Sequence, residues 1–147
     1  MLELLSPAGS MEALRAAVQN GANAVYLGVG NLNARQSAKN FTPQTLVDAV
    51  KYCHVRGVDV HLTLNTLVSD REMKEAAELI RHAAQYNIDA FIVQDLGVVQ
   101  LCRQIAPHIP IHGSTQMTIH SLPGVQLCVA MGMKRVVLSR ELSREEI

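Results

Sequence analysis

Aromatic residues make up only 3% of this 147-residue chain, and there is no tryptophan. A base-stacking platform of the kind single-stranded nucleic-acid binders use is therefore not expected within it. Charge of one sign is lacking too: 13 Lys and Arg balance 13 Asp and Glu, which leaves no global electrostatic footprint for nucleic acid or membrane. No apolar run approaches the roughly 20 residues that span a bilayer. The opening MLELLSPAGS has no basic region ahead of an apolar one, so it does not read as a signal peptide. Cysteines are few: Cys53, Cys102 and Cys128 are scattered inside helical patterns without metal-ligand spacing, as expected of reduced thiols in a cytoplasmic protein. A glycine-rich turn after the first strand is missing as well. SPAGS carries a single Gly9, so no dinucleotide fingerprint is present.

What the chain has is a 48% hydrophobic composition, enough for one domain with a real core. It also repeats one pattern. A helical stretch ends in Gly or Asn, a polar residue follows two positions later, and an apolar strand begins. NGANAVYLG uses Gly21 and Asn23, RGVDVHLTLN uses Gly57 and Asp59, YNIDAFIVQD uses Asn87 and Asp89, and MGMKRVVLSR uses Gly132 and Lys134. Gly or Asn in that place supplies a left-handed cap residue. The runs that follow read as strands buried on both faces, as in a parallel sheet clothed by helices. Ser10 and Thr42 are N-cap candidates, the latter with Pro43 at the first helical position. Met73, Ala77, Ile80 and Ala84 share one helical face.

Strands are predicted to start near residues 2, 24, 59, 90, 110 and 135, with five helices between them, one βα unit per roughly 27 residues. The fifth strand, flanked by Pro107 and Pro110, departs from the pattern. Two architectures fit such alternation: an open doubly wound sheet and a (β/α)8 barrel. The barrel is favoured, because the terminal SREEI places an N-cap Ser143 and an acid at Glu146 where a sixth helix would open. The expected class is therefore α/β, with parallel βα repeats forming the first six strands of a truncated TIM-type barrel. Residues 1–147 would be its N-terminal portion. Unpaired edges of such a piece would drive self-association.

Chemistry in either architecture belongs where strands end. Those positions carry Ser6, Tyr26, Gly28, Thr63, Asn65, Thr66, Gln94, Asp95, His112, Ser114, Thr115, Gln116, Ser139, Arg140 and Glu141. Amides and hydroxyls outnumber charges, which suits a neutral group rich in donors and acceptors, such as a nucleobase or a peptide. The second loop, residues 29–41, is far longer than the usual βα connection. It holds Arg35 and Lys39, no acid, and the amides Asn31, Asn33, Gln36 and Asn40. An anionic or phosphate-bearing partner, RNA included, would meet it. His108, His112 and His120 cross a strand and a turn, so their spacing does not gather them as metal ligands. Ser114 lacks a hydrolase elbow.

ELLSPAGSMEAL, GANAVYLGVGNLNARQSAKNF, FIVQDLGV, HGSTQMTIHS and RVVLSRELSREEI together resemble the N-terminal part of the collagenase-like peptidase family, family U thirty-two, over essentially the whole chain. GNLNARQSAKNF and GSTQ are most similar to its rRNA-cytidine branch. The resemblance implies an incomplete TIM-type barrel and three alternative functions. The first is hydroxylation of an RNA base, cytidine or uridine. The second is an endopeptidase acting on collagen-like or other peptides, and the third is a non-catalytic binding or scaffold module. Carried over by motif, it implies Asp95, Arg140 and Glu141 as catalytic positions. It implies Ser6, Asn33, Arg35, Asn65, Gln94, Ser114 and Gln116 as substrate-binding ones. The iron–sulfur cluster of some branches would be held by cysteines beyond the position of Ile147, so none is expected in this segment and the segment alone is expected to be inactive.

Overall fold

A computed structural model describes residues 2–34 and 40–147. Six strands alternate with five helices: β1 (Leu5–Pro7), α1 (Met11–Gln19), β2 (Ala24–Gly28), α2 (Pro43–His54), β3 (Asp59–Leu64), α3 (Met73–Gln85), β4 (Ala90–Val93), α4 (Leu96–Ile105), β5 (Ile111–Gly113), α5 (Leu122–Ala130) and β6 (Arg135–Val136). A 3₁₀ turn, Thr115–Met117, follows β5. All strands are parallel and lie in the order β1-β2-β3-β4-β5-β6. Sequential order with a helix in every crossover is a half-barrel, and it rules out the doubly wound alternative, whose strand order reverses at a switch point. Among the described residues no helix is long and apolar enough to cross a membrane.

The repeated pattern has a clear local cause. Gly21, Gly57, Asn87 and Gly132 stand at φ of 90°, 68°, 56° and 86°, so each helix is turned back by one left-handed residue. In two of the four, the polar residue two positions on then serves the neighbouring strand. Asn23 Oδ1 accepts the Leu4 N–H at 2.8 Å, and Asp89 Oδ2 accepts the Val60 N–H at 2.7 Å. Each satisfies a backbone donor at a strand start that the ladder leaves open. This is also why β1 begins at Leu5 rather than near residue 2: the Leu4 amide bonds to a side chain. At the other end, Val137 N–H still reaches Gly113 O at 2.9 Å, but Ser139 N–H turns away to Ile119 O at 2.8 Å, which ends β6 early.

Ser10 and Thr42 cap their helices as expected, Thr42 through a reciprocal box with Thr45. On α3 the buried residues are Ala76, Ala77, Ile80 and Ala83, so the apolar stripe is rotated slightly from Met73 and Ala84, which are half-buried. The outward face of the sheet and the inner helix faces make the core. Val25, Leu27, Val60, Leu62, Leu64, Phe91 and Val93 meet Leu14, Leu46, Ile80, Val98 and Val99, all at 2% exposure or less.

The inward face is different, because alternate residues along each strand point to the hollow side. Here lie Tyr26, His61, Thr63, Ile92, His112, Ser114 and Val137. His61 and His112 meet edge to face with ring centroids 5.0 Å apart. They are 3% and 7% exposed, and His61 Nδ1 has no hydrogen-bond partner. Burial depresses both imidazoles, His112 to about 4, helped by His61 and Arg135. Below them Arg135 on β6 and Glu3 beside β1 form a two-pronged ion pair, with N–O distances of 2.7 and 2.9 Å, across the open side of the sheet. That guanidinium holds the Glu3 carboxyl below its usual range.

Two outcomes follow from this interior. Neutralising the clasp with Glu3→Gln should lower stability by about 0.5–1 kcal/mol in chemical denaturation, and the difference should shrink in 1 M salt, because the pair is partly exposed. For the histidines, the unfolded chain takes up protons below about pH 6.5 while the folded chain resists until near pH 4 at His112. Stability should be level above pH 6.5 and fall as pH drops, by up to about 1.4 kcal/mol per pH unit from His112, with His61 adding in the same direction. His112→Gln should remove part of that slope. A denaturation series from pH 7.5 to 4.5 with no slope would contradict the assignment.

Candidate functional site

Register explains which side chains share a level of the half-barrel. His61 on β3 pairs through Ala90 and the β4–β5 ladder with the position of Pro110, yet its ring touches His112, two residues further on. The same two-residue stagger places Thr63 level with Ser114, one tier above the histidines on their strands, and places Tyr26, Ile92 and Val137 between these tiers. A cavity of about 400 Å³ opens over that intermediate tier at the carboxyl end of the strands. Its floor is Leu5, Tyr26, Ile92 and Val137; its walls carry Asn33, Asn40, Thr63, Asn65, Ser114, Thr115, Gln116 and Arg140.

Of the residues implied by sequence, Asn33, Asn65, Ser114, Gln116 and Arg140 come together in this lining. Asn33 is 2% exposed and donates from Nδ2 to Gly30 O at 3.0 Å. It can sit there only because residue 28 is glycine: a Cβ on Gly28 would fall 2.4 Å from Asn33 Cγ. Asn65 Oδ1 accepts the Ala34 N–H at 3.0 Å, tying the second loop to the end of β3. The loop is also closed at its root. Val29 bridges Phe41, with Phe41 N–H to Gly28 O at 3.0 Å and Gly30 N–H to Phe41 O at 3.2 Å, and Asn40 Nδ2 donates to Gly30 O at 3.0 Å. Arg35, Gln36 and Lys39, the expected anion-facing part, lie outside the described residues.

Ser6, Gln94, Asp95 and Glu141 surround the cavity without lining it. From this segment Leu5, Ala8 and Gly9 line the cavity instead of Ser6. Gln94 Nε2 donates to Gln116 O at 3.2 Å and so braces the 3₁₀ turn. Asp95 is the N-cap of α4: Oδ1 accepts from Gly97 N at 2.7 Å and Val98 N at 3.1 Å, and Oδ2 accepts from Val68 N at 3.3 Å. Glu141 accepts a hydrogen bond from the Ser139 hydroxyl, which holds its carboxyl below the usual range, and its own N–H returns to Ser139 Oγ at 3.3 Å. Both carboxylates are thus engaged by backbone or hydroxyl donors. Among the described residues Arg140 is the one charged group in the lining, and no carboxylate stands opposite it.

His61 was not singled out from sequence, although VHLTLN alternates His61, Thr63 and Asn65 onto one face. The other two histidines of the apparent series, His108 and His120, are exposed, away from buried His112. The iron–sulfur cluster of some branches does not fit the cysteines present. Cys53, Cys102 and Cys128 are buried and unbridged, and burial raises the first two thiols to about 11 and about 12, away from the thiolate a cluster needs.

The family model described as peptidase family U32 matches residues 9–147. A tRNA hydroxylation protein P of Helicobacter pylori (strain ATCC 700392 / 26695) is 42% identical over 143 residues, covering 97% of this chain and 34% of that protein. The 23S rRNA 5-hydroxycytidine C2501 synthase of Escherichia coli K12 is 37% identical over 146 residues, 99% of this chain and 22% of that protein. A protein named collagenase from Porphyromonas gingivalis is 33% identical, with 99% and 34% covered. This chain thus spans about a third or less of the length of these relatives. A solved U32 peptidase structure superposes with a TM-score of 0.76 over 94% of this chain and 58% of that one, at 13% identity, which speaks to the fold. Sequential parallel strands, a polar pocket at their carboxyl ends and a family match running from Gly9 to Ile147 agree with one another: the chain belongs to peptidase family U32.

Proposed function

We propose that the whole protein hydroxylates a pyrimidine base, cytidine or uridine, in RNA, and that this chain supplies the pocket that receives the base. The observation that carries the reading is the composition of the pocket: amides and hydroxyls, of which Asn33, Thr63 and Ser114 are buried, with Arg140 the one charge among the described lining residues. A volume of about 400 Å³ suits a base turned out of its stack. Relatives at 42% and 37% identity bear the names tRNA hydroxylation protein and 5-hydroxycytidine synthase. In this reading Asn33, Asn65, Ser114 and Gln116 address the base, and Arg140 meets a flanking phosphate. Loop 29–41, with Arg35, approaches the RNA backbone. Asp95, Glu141, Gln94 and Ser6 hold strand ends and turns in place behind the lining. The oxidising group is assigned to none of these residues, and the setting is cytoplasmic, where tRNA and ribosomes are found.

Endopeptidase activity is the second reading, supported by the collagenase relative. Against it, the described lining contains no histidine, cysteine or carboxylate to activate a nucleophile.

Nucleoside mass spectrometry of tRNA and rRNA from a strain lacking the gene should show a hydroxylated pyrimidine lost, then restored by the intact gene. Restoration by Arg140→Ala should be at least about tenfold poorer, since a charge-assisted contact is worth about 1.5–3 kcal/mol. Unchanged hydroxylated nucleosides in the deletion strain, with gelatin cleavage by the whole protein, would replace this reading by the second. Gly28→Ala should cost about 1–3 kcal/mol by overpacking against Asn33. Adding Asn33→Ala should recover stability in thermal melts but not hydroxylation.

A further inference from the structure

Two buried hydroxyls in the pocket are engaged by the main chain in opposite senses, one donating to it and one accepting from it. Thr63 is 6% exposed and donates its hydroxyl hydrogen to Leu27 O at 2.9 Å. That proton is committed, so Thr63 Oγ1 turns only lone pairs toward the cavity. Ser114 is 3% exposed, and its Oγ accepts the Gln116 N–H at 3.2 Å. No bond from its own hydrogen forms among the described residues, so the Ser114 O–H is available to donate into the cavity. Both residues line the pocket, and the stagger that brings His61 to His112 brings these two to one level.

We infer that Thr63 and Ser114 are specificity-determining residues that read a ligand edge carrying a hydrogen-bond donor beside an acceptor. Thr63 takes the donor and Ser114 serves the acceptor. The chemical class this selects is a neutral heterocycle with such an edge: the 4-amine and N3 of cytosine satisfy it, as do N3–H and O4 of uracil. The inference rests on the pyrimidine reading of this pocket and deepens it. Physical cost enforces the choice, because a ligand lacking the donor leaves a buried lone pair unmatched, and burying a polar group without a partner is unfavourable. Thr63 cannot donate to a different edge without breaking its bond to Leu27 O, so the discrimination rests on Thr63 while Ser114 supplies the matching O–H.

The test is calorimetric or saturation-transfer NMR titration of the full-length protein with cytidine and with the 2-pyrimidinone ribonucleoside, which keeps N3 and O2 but lacks the 4-amine. The intact protein should bind cytidine more tightly. Thr63→Val should weaken cytidine about three- to tenfold without weakening the pyrimidinone nucleoside, while Thr63→Ser keeps the preference. Ser114→Ala should weaken both ligands. Equal weakening of both ligands by Thr63→Val would mark a merely structural role and overturn the inference. So would unchanged cytidine binding in that variant, and in either case the pyrimidine reading would stand. Failure of the intact protein to bind any pyrimidine nucleoside would overturn the inference and the base reading together.

Discussion

Parallel strands laid in chain order, each staggered against the last, are the constraint from which the rest of this molecule derives. Side chains alternate across a strand, so every second residue faces the hollow of the half-barrel and the others face the helices. Given sequential order, the stagger then fixes which inward residues meet. It brings His61 to His112 from strands that do not touch, and by the same offset sets Thr63 level with Ser114 across the cavity. A side chain's partners in this interior are decided by tier, and tier is decided by register. Moving any strand by one residue would exchange its polar inward set for the apolar set that meets the helices.

Strand ends create a second demand. Each leaves backbone donors without a ladder partner, and buried donors must be satisfied. Many polar side chains around the rim answer that demand. At the rim Asp95 collects three N–H groups and Asn65 holds the second loop through Ala34. At the opposite, starting ends of the strands Asp89 serves Val60 and Asn23 serves Leu4. The consequence for chemistry is indirect and large. With the Asp95 carboxylate drawn into capping and that of Glu141 bound by the Ser139 hydroxyl, the cavity is walled by amides and hydroxyls. Among the described residues no carboxylate stands opposite Arg140. The buried hydroxyls also have main-chain partners, and the bond from Thr63 to Leu27 O commits its hydrogen and leaves it an acceptor.

Beneath this pocket the interior remains polar, though dry enough to keep imidazoles neutral. His61 and His112 lie under Tyr26, Ile92 and Val137, and desolvation outweighs the nearby Glu3 carboxylate in depressing both. The Glu3–Arg135 clasp at the lower end joins the first and sixth strands, residues 132 positions apart, across the side where the sheet is open. Curvature of the half-barrel is thus supported at its two edges by an ion pair as well as by packing against the helices.

Much of this architecture was legible from local chemistry. The left-handed residues at Gly21, Gly57, Asn87 and Gly132, the caps at Ser10 and Thr42, and the six strand segments depend on backbone sterics and near-neighbour bonds, which a linear pattern records. The residues at the carboxyl ends of strands were legible for the same reason. Which of them share a cavity was not: Ser6 and Ser114 look equivalent in the chain, but pleat and stagger turn one away and the other inward. Nor could the chain alone show that Asp95 caps a helix and fastens Val68, that Asn33 fits because residue 28 has no side chain, or that His61 finds His112. Those facts depend on distances between segments far apart in sequence, and such distances exist only once the strands have taken their register. Sequence alone determined the alternation of strands and helices and the residue types offered at the rim; tertiary structure decided which of those residues meet, because only packing sets the stagger between strands.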